Sequence, residues 1–148
     1  MTSYEPSMRV AIELAADQSA DVPVGALVLS PDGEIIGRGR NLCLATSDPT
    51  AHAEIVAIRQ AAATTGTWRL DGCTLIATLE PCTMCAGAVH LARISRVVYG
   101  AIDERAGAAG SISDALFDRR LGPAVEVISG VLADDCADLL KDFFKRLR

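Results

Sequence analysis

Residues 73–100 read CTLIATLEPCTMCAGAVHLARISRVVYG, and their pattern decides the architecture. Cys73 to Leu79 is a short apolar run of strand length. Pro81 follows it where a proline favours the first turn of a helix. Cys82 to Ala92 reads as that helix, and Arg96 to Gly100 as the next strand. The same alternation extends outward in both directions. Toward the N-terminus, Val24 to Leu29 is an apolar run ended by Ser30-Pro31-Asp32-Gly33, a buried strand followed by a turn. Glu34 to Arg40 continues as a second strand and completes a hairpin. Before it, Val10, Ile12, Leu14 and Ala15 give Met8 to Ala20 helical spacing. After it, Asp48-Pro49-Thr50 opens a helix that runs to about Thr65. Toward the C-terminus, Ala124 to Ile128 is a fifth strand, and Leu132 to Arg148 closes the chain as an amphipathic helix. The pattern predicts a mixed sheet of about five strands with helices on both faces. No repeat, low-complexity tract or linker interrupts it, so residues 1–148 are expected to form one domain.

Composition narrows the function classes. Half of the 148 residues are apolar, enough for a core and unlike a disordered chain. No apolar run approaches the roughly 18 residues of a membrane span. Met1 to Pro6 lacks the basic start and apolar stretch of a signal peptide. These features predict a soluble cytoplasmic enzyme. The five cysteines are an odd number and include a Cys-x-x-Cys pair, which points to metal or redox chemistry rather than a disulfide framework. The net charge of −5 does not favour a nucleic-acid partner. The basic groups Lys141, Lys145, Arg146 and Arg148 near the terminus, with only Asp142 among them, offer a local exception.

The chemistry-bearing residues are His52-Ala53-Glu54 and, thirty positions on, Pro81-Cys82-Thr83-Met84-Cys85. Zinc takes imidazole nitrogen and thiolate sulfur in a tetrahedron. A catalytic site supplies three protein ligands and leaves the fourth position to water. His52, Cys82 and Cys85 make three, for one zinc per subunit. Cys82 and Cys85 share a helix face near an N-terminus, where the macrodipole favours thiolate. His52 also lies near a helix start, so two helix N-termini must converge on the metal. Two thiolates balance Zn²⁺, and bound water becomes acidic enough to supply hydroxide near neutral pH. Glu54 is expected to stay off the metal, near it, and to move the protons. A lone Cys-x-x-Cys is more often structural or redox, and a lone His-x-Glu says almost nothing; the two together carry the assignment. Cys43, Cys73 and Cys136 sit in apolar contexts and read as buried free thiols.

His-x-Glu followed by Pro-Cys-x-x-Cys is similar to the signature of the zinc nucleobase deaminases. Val22 to Ala26, Asp48 to Ile55, Leu79 to Ala88, Gly107 to Ser111, Leu132 to Cys136 and Asp142-Phe143-Phe144 together resemble the bacterial tRNA-specific adenosine deaminases. The resemblance covers nearly the whole chain. It implies a cytidine-deaminase-like three-layer α/β/α sandwich and hydrolysis of adenosine to inosine at the wobble position of an arginine tRNA anticodon. It also implies a homodimer that holds the anticodon stem-loop, with no membrane role. Asn41 matches the family asparagine that holds the flipped nucleoside, and Asp103 an acid near the neighbouring ribose. Phe143, Phe144, Arg146 and Arg148 match the helix bordering the anticodon loop. On the residues alone, Asn41 reads as a turn residue, Asp103 as a loop cap, and the phenylalanines as core. Arg146 and Arg148 alone read as a solvated helix end. Leu42 to Ser47 departs from the family, because it carries no charge where basic residues and a proline are usual. Binding there would lean on Lys141, Lys145, Arg146, Arg148, Arg119 and Arg120 instead.

Two rival readings exist. A deaminase of free guanine or cytosine would use the same zinc site and suit the acidic charge. A non-catalytic RNA-binding or structural zinc module would have no use for Glu54.

Overall fold

The computed structural model describes residues 3–16 and 19–147. Strand β3 (Thr74–Leu79), helix α4 (Thr83–Ala92) and strand β4 (Arg96–Ala101) form the expected central unit. The two strands run parallel from Thr74 opposite Arg96 to Leu79 opposite Ala101. The hairpin of β1 (Gly25–Leu29) and β2 (Ile35–Arg40) attaches antiparallel to β3 through β1. Strand β5 (Glu126–Ile128) adds parallel to β4, giving a five-stranded mixed sheet of order β2-β1-β3-β4-β5. Strands β1 and β3 are buried along nearly their whole length because helices cover both faces.

Alternation along the strands divides the core in two. Ala26, Val28, Leu75, Ala77 and Val97 face helices α3 (Ala53–Thr65) and α4. Leu27, Leu29, Ile76 and Val98 face α1 (Glu5–Ala15) and α5 (Ala133–Arg146). This is the three-layer α/β/α sandwich predicted from the sequence. Helix α3 lies unusually close to the sheet. A Cβ on Gly37 would fall 2.3 Å from the Ala57 carbonyl oxygen, and one on Gly39 would fall 2.3 Å from that of Ala53. Ala53, Ala57 and Ala61 recur every fourth residue and present only methyls to β1 and β2. Among the described residues, no helix is long and apolar enough to cross a membrane.

Several element limits differ from those expected. Helix α1 spans Glu5–Ala15 rather than Met8 to Ala20. Pro6 is tolerated inside its first turn, where its missing N–H has no partner to lose. Beyond the helix, the Ser19 hydroxyl accepts the Asp21 N–H at 2.9 Å and turns the chain. Helix α3 begins at Ala53, not at Asp48. The Asp48 carboxylate accepts from the Thr50 N–H at 2.8 Å and hydroxyl at 2.7 Å, and that Asx turn precedes the helix. A short helix α2 (Cys43–Thr46) stands in the stretch 42–47, where none was expected. Cys82 is extended and caps α4, so Pro81 lies outside the first turn. Strand β5 starts at Glu126, where its ladder with Arg96 begins, rather than at Ala124. Helix α5 starts at Ala133, with Leu132 in the left-handed region as its N-cap, and ends at Arg146.

Candidate active site

Local sequence brings the three donors to two helix starts. His52 is the N-cap of α3, Cys82 is the N-cap of α4, and Cys85 is the third residue of α4. Neither N-cap side chain bonds to its own helix backbone. That omission forgoes about 1 kcal/mol of capping in each helix and leaves both side chains turned toward one another. His52 Nδ1 lies 3.5 Å from Cys82 Sγ and 3.6 Å from Cys85 Sγ. Zinc–sulfur bonds of about 2.3 Å and zinc–nitrogen bonds of about 2.05 Å, at the tetrahedral angle, separate nitrogen from sulfur by about 3.6 Å. Both nitrogen–sulfur separations therefore match the edges of a zinc tetrahedron. Among the described residues, His52, Cys82 and Cys85 are the group whose ligand atoms all lie within 4.8 Å of one another, and Glu54 is not in it.

Electrostatics agree with a metal-binding set. The Cys85 thiol hydrogen-bonds Cys82 and pulls its pKa down to about 4, with help from His52. Cys85, as the donor and as a buried group, is pushed up. The hydrogen bond to Cys82 holds the His52 imidazolium above its usual range. The cluster thus shares protons that a dication would displace. Glu54 is 4% exposed, and burial raises its carboxyl above the ordinary carboxylate range. A carboxyl whose pKa is raised by burial holds a proton more readily than a free one, which suits a group that accepts and returns protons.

These groups open onto a cavity of about 210 Å³. His52, Glu54 and Cys82 line its floor, with Asn41, Asp103, Val22 and Ala106 around them. The Asn41 side-chain oxygen accepts the Cys43 N–H at 3.2 Å, so its amide nitrogen can serve a ligand. Asp103 accepts from the Arg105 and Ala106 N–H groups at 3.0 and 3.3 Å, which is the loop-cap reading realised at the edge of the cavity. Among the described residues, none of α5 lines this cavity. Phe143 is buried in the core and meets Phe144 edge-on at 5.3 Å. Phe144 is 38% exposed and, with Arg105, Lys141 and Lys145, lines a separate basic groove. The Arg105 guanidinium lies 5.8 Å from its ring centre. Arg146 is exposed and sits over the Phe143 ring. Arg148 lies outside the described residues. Arg119 and Arg120 are exposed on the loop before β5, and Arg120 pairs with Asp118 at 2.8 Å. Cys73 and Cys136 are buried thiols as expected, whereas Cys43 is only half-buried on the short α2.

Two residues of the cavity region escaped the sequence reading. Asp21 is 6% exposed, and its two oxygens accept the Leu44 and Ala45 N–H groups at 2.6 and 3.1 Å. It thereby caps α2 from the segment before β1 and ties down the uncharged loop beside Asn41. Glu80, 2% exposed, lines the cavity next to Cys82. Burial pushes its carboxyl up, and hydrogen bonds led by the Ser111 hydroxyl more than offset this and hold it below the usual range. A charged residue between an apolar strand and Pro-Cys was the available signal for Glu80.

Residues 1–101 match the cytidine and deoxycytidylate deaminase zinc-binding region. The chain is 46% identical to the tRNA-specific adenosine deaminase of Bacillus subtilis (strain 168), over the whole chain and 92% of that protein. A solved tRNA:A34 deaminase, an A-to-I editor of the wobble position of transfer RNA, superposes with a TM-score of 0.84 at 41% identity. That match covers 90% of this chain and 97% of the other. Guanine deaminase from Nitrosomonas europaea superposes with a TM-score of 0.82 at 28% identity, covering 97% and 85%.

Proposed function

The chain belongs to the cytidine and deoxycytidylate deaminase family, and from that membership we propose that it hydrolyses adenosine to inosine at wobble position 34 of a tRNA anticodon. The observation that carries this reading is one cavity lined by buried Glu54, Asn41 and two members, His52 and Cys82, of the His52-Cys82-Cys85 donor group. The identity to a tRNA-specific adenosine deaminase and to a tRNA:A34 deaminase over nearly the full chain supports the substrate.

In the reaction a C–O bond forms at C6 of the purine, the C6–N bond breaks, and ammonia leaves. His52, Cys82 and Cys85 would hold the zinc ion, which when bound would supply the Lewis acidity that makes water a nucleophile near neutral pH. Glu54 takes one proton from the attacking water and delivers it to the ring nitrogen, then takes the second from the new C6 hydroxyl and gives it to the departing amine, leaving a carbonyl and ammonia. Asn41 donates its amide hydrogens to the flipped nucleoside. Asp103 and Ala106 close the side of the cavity toward the neighbouring nucleotide. An anticodon loop presents unstacked bases, which lowers the energy needed to seat one in a closed cavity.

The groove of Arg105, Lys141, Phe144 and Lys145 supports a path for the RNA strand, with a ring for stacking and cations for phosphate. Arg146 extends the same basic end, and Arg148 adds a further positive charge to the sequence after it. Lys141→Ala with Lys145→Ala is expected to weaken stem-loop binding and reduce the salt slope of log K by roughly one to two. Titrations at several salt concentrations check this, and an unchanged slope removes α5 from the footprint. The preferred tRNA is an arginine tRNA, and the setting is the cytoplasm. The chain acts as a homodimer, in which a second copy covers the exposed apolar face around Ile58, Trp68 and Leu91. Light scattering is expected to return twice the chain mass; a single-chain mass would count against this.

A second reading is deamination of free guanine, favoured by the superposition on the Nitrosomonas enzyme. The deciding experiment incubates the zinc-loaded protein with an anticodon stem-loop bearing adenosine at the wobble position, and separately with guanine, cytidine and adenosine. Inosine in the stem-loop alone is expected. Turnover of guanine alone would overturn the RNA reading.

A further inference from the structure

The Glu80 carboxylate is the meeting point of the loop that carries Asp103. Its Oε1 accepts the Asp103 N–H at 3.0 Å and the Ser111 hydroxyl at 2.5 Å. Its Oε2 accepts the Ala109 N–H at 2.8 Å and the Ser111 N–H at 3.3 Å. Four donors from residues 103–111 thus converge on one buried side chain. The loop is shaped to admit it, because a Cβ on Gly107 would lie 2.3 Å from the Glu80 carboxyl carbon. The two residues after Glu80 continue the seam. The Pro81 carbonyl accepts the Ala108 N–H at 2.8 Å, and Cys82 forms a β-bridge with Gly107. Three consecutive residues, ending in a metal donor, are therefore stitched to the loop that supplies Asp103 and Ala106 to the cavity that Glu54 also lines.

We propose that Glu80 is a positioning residue: it sets the distance between the metal donor Cys82 and the Asp103–Ala106 wall of the cavity, and so determines how closely the wall seats the substrate beside the base. The proposal rests on the deaminase reading for what the cavity binds, but the seam itself does not depend on which purine enters. A carboxylate is required here. Four N–H and O–H donors need two acceptor oxygens, and a glutamine would turn an NH₂ group toward one pair of donors. The lost interaction is a buried, charge-assisted one, so its removal is felt as more than a weak contact.

The test is Glu80→Gln, with Ser111→Ala as a milder second variant that removes one of the four donors. The first readout needs no substrate. Amide hydrogen exchange at Asp103, Ala109 and Ser111 is expected to speed up in both variants, while α4 amides and the zinc content stay as in the wild type. Unchanged exchange in the loop would overturn the proposal. The second readout is a double-mutant cycle with Asp103→Ala on whichever substrate the wild-type protein turns over, stem-loop or guanine. This keeps a failure of the wobble reading distinct from a failure of this one. Glu80→Gln is expected to lower kcat/KM on the order of tenfold, mainly through KM. In the Asp103→Ala background it should add less than about twofold, because the wall it positions is already altered. Multiplying effects, or a loss confined to kcat with zinc lost, would show that Glu80 merely supports the fold.

Discussion

Glu54→Gln is expected to lower kcat by between about 100-fold and 10,000-fold while leaving one zinc per chain and an unchanged melting temperature to within a few degrees. Glutamine keeps the size of the side chain at the second position of α3 but cannot carry a proton between water and a ring nitrogen. The prediction is sharp because Glu54 stands outside the group of mutually close donors while lining the same cavity. Single-turnover deamination and elemental analysis on the same sample give the two numbers. If the variant lost its metal, Glu54 would be a ligand and its role as proton carrier would be wrong.

Cys85→Ala is expected to abolish both metal and activity. Cys85 has no exposed surface, and its hydrogen bond is the leading effect that pulls the Cys82 pKa down to about 4. Alanine leaves only two donors, too few for a catalytic zinc site. A second measurement separates metal loss from misfolding. A ligand that binds only the native state raises its stability, so a chelator should lower the melting temperature of the wild-type protein. The Cys85→Ala protein should melt near the chelated wild type and ignore the chelator. A variant that still loses melting temperature on chelation would mean that zinc is held without Cys85.

The convergence of two helix starts on one metal was legible in the residues themselves. His52 and Cys82-Thr83-Met84-Cys85 follow strands and open helical patterns, and the tetrahedral need for three close donors left little other geometry. The layers were legible too, since apolar alternation marks strands and spacing marks helices. Periodicity does not say which strands become neighbours, and the order β2-β1-β3-β4-β5 had to be seen. Glu80 and Asp21 were hidden for a related reason. The donors they satisfy lie 23 to 31 residues away in sequence, so even the isolated charge at Glu80, between an apolar strand and Pro-Cys, does not say what it binds. The start of α1 was readable and was misplaced. Pro6 marks a first turn as readily as it marks a break, and the apolar spacing after it drew the boundary too late.

The close seat of α3 has a consequence for how this protein can change. Gly37 and Gly39 let helix carbonyls approach where any methyl would collide, and Gly25 does the same for the Ala11 carbonyl of α1. His52 and Glu54 therefore owe their depth to atoms that are absent from the sheet. A library of random variants would show steep losses not only at the metal donors and Glu54 but also at positions that carry no side chain and touch no substrate. Val22 and Ala106, on the cavity itself, leave more room for replacement. Efforts to retune the pocket for another base have their latitude in the cavity wall, whereas the spacing between layers is a gauge that must be left alone.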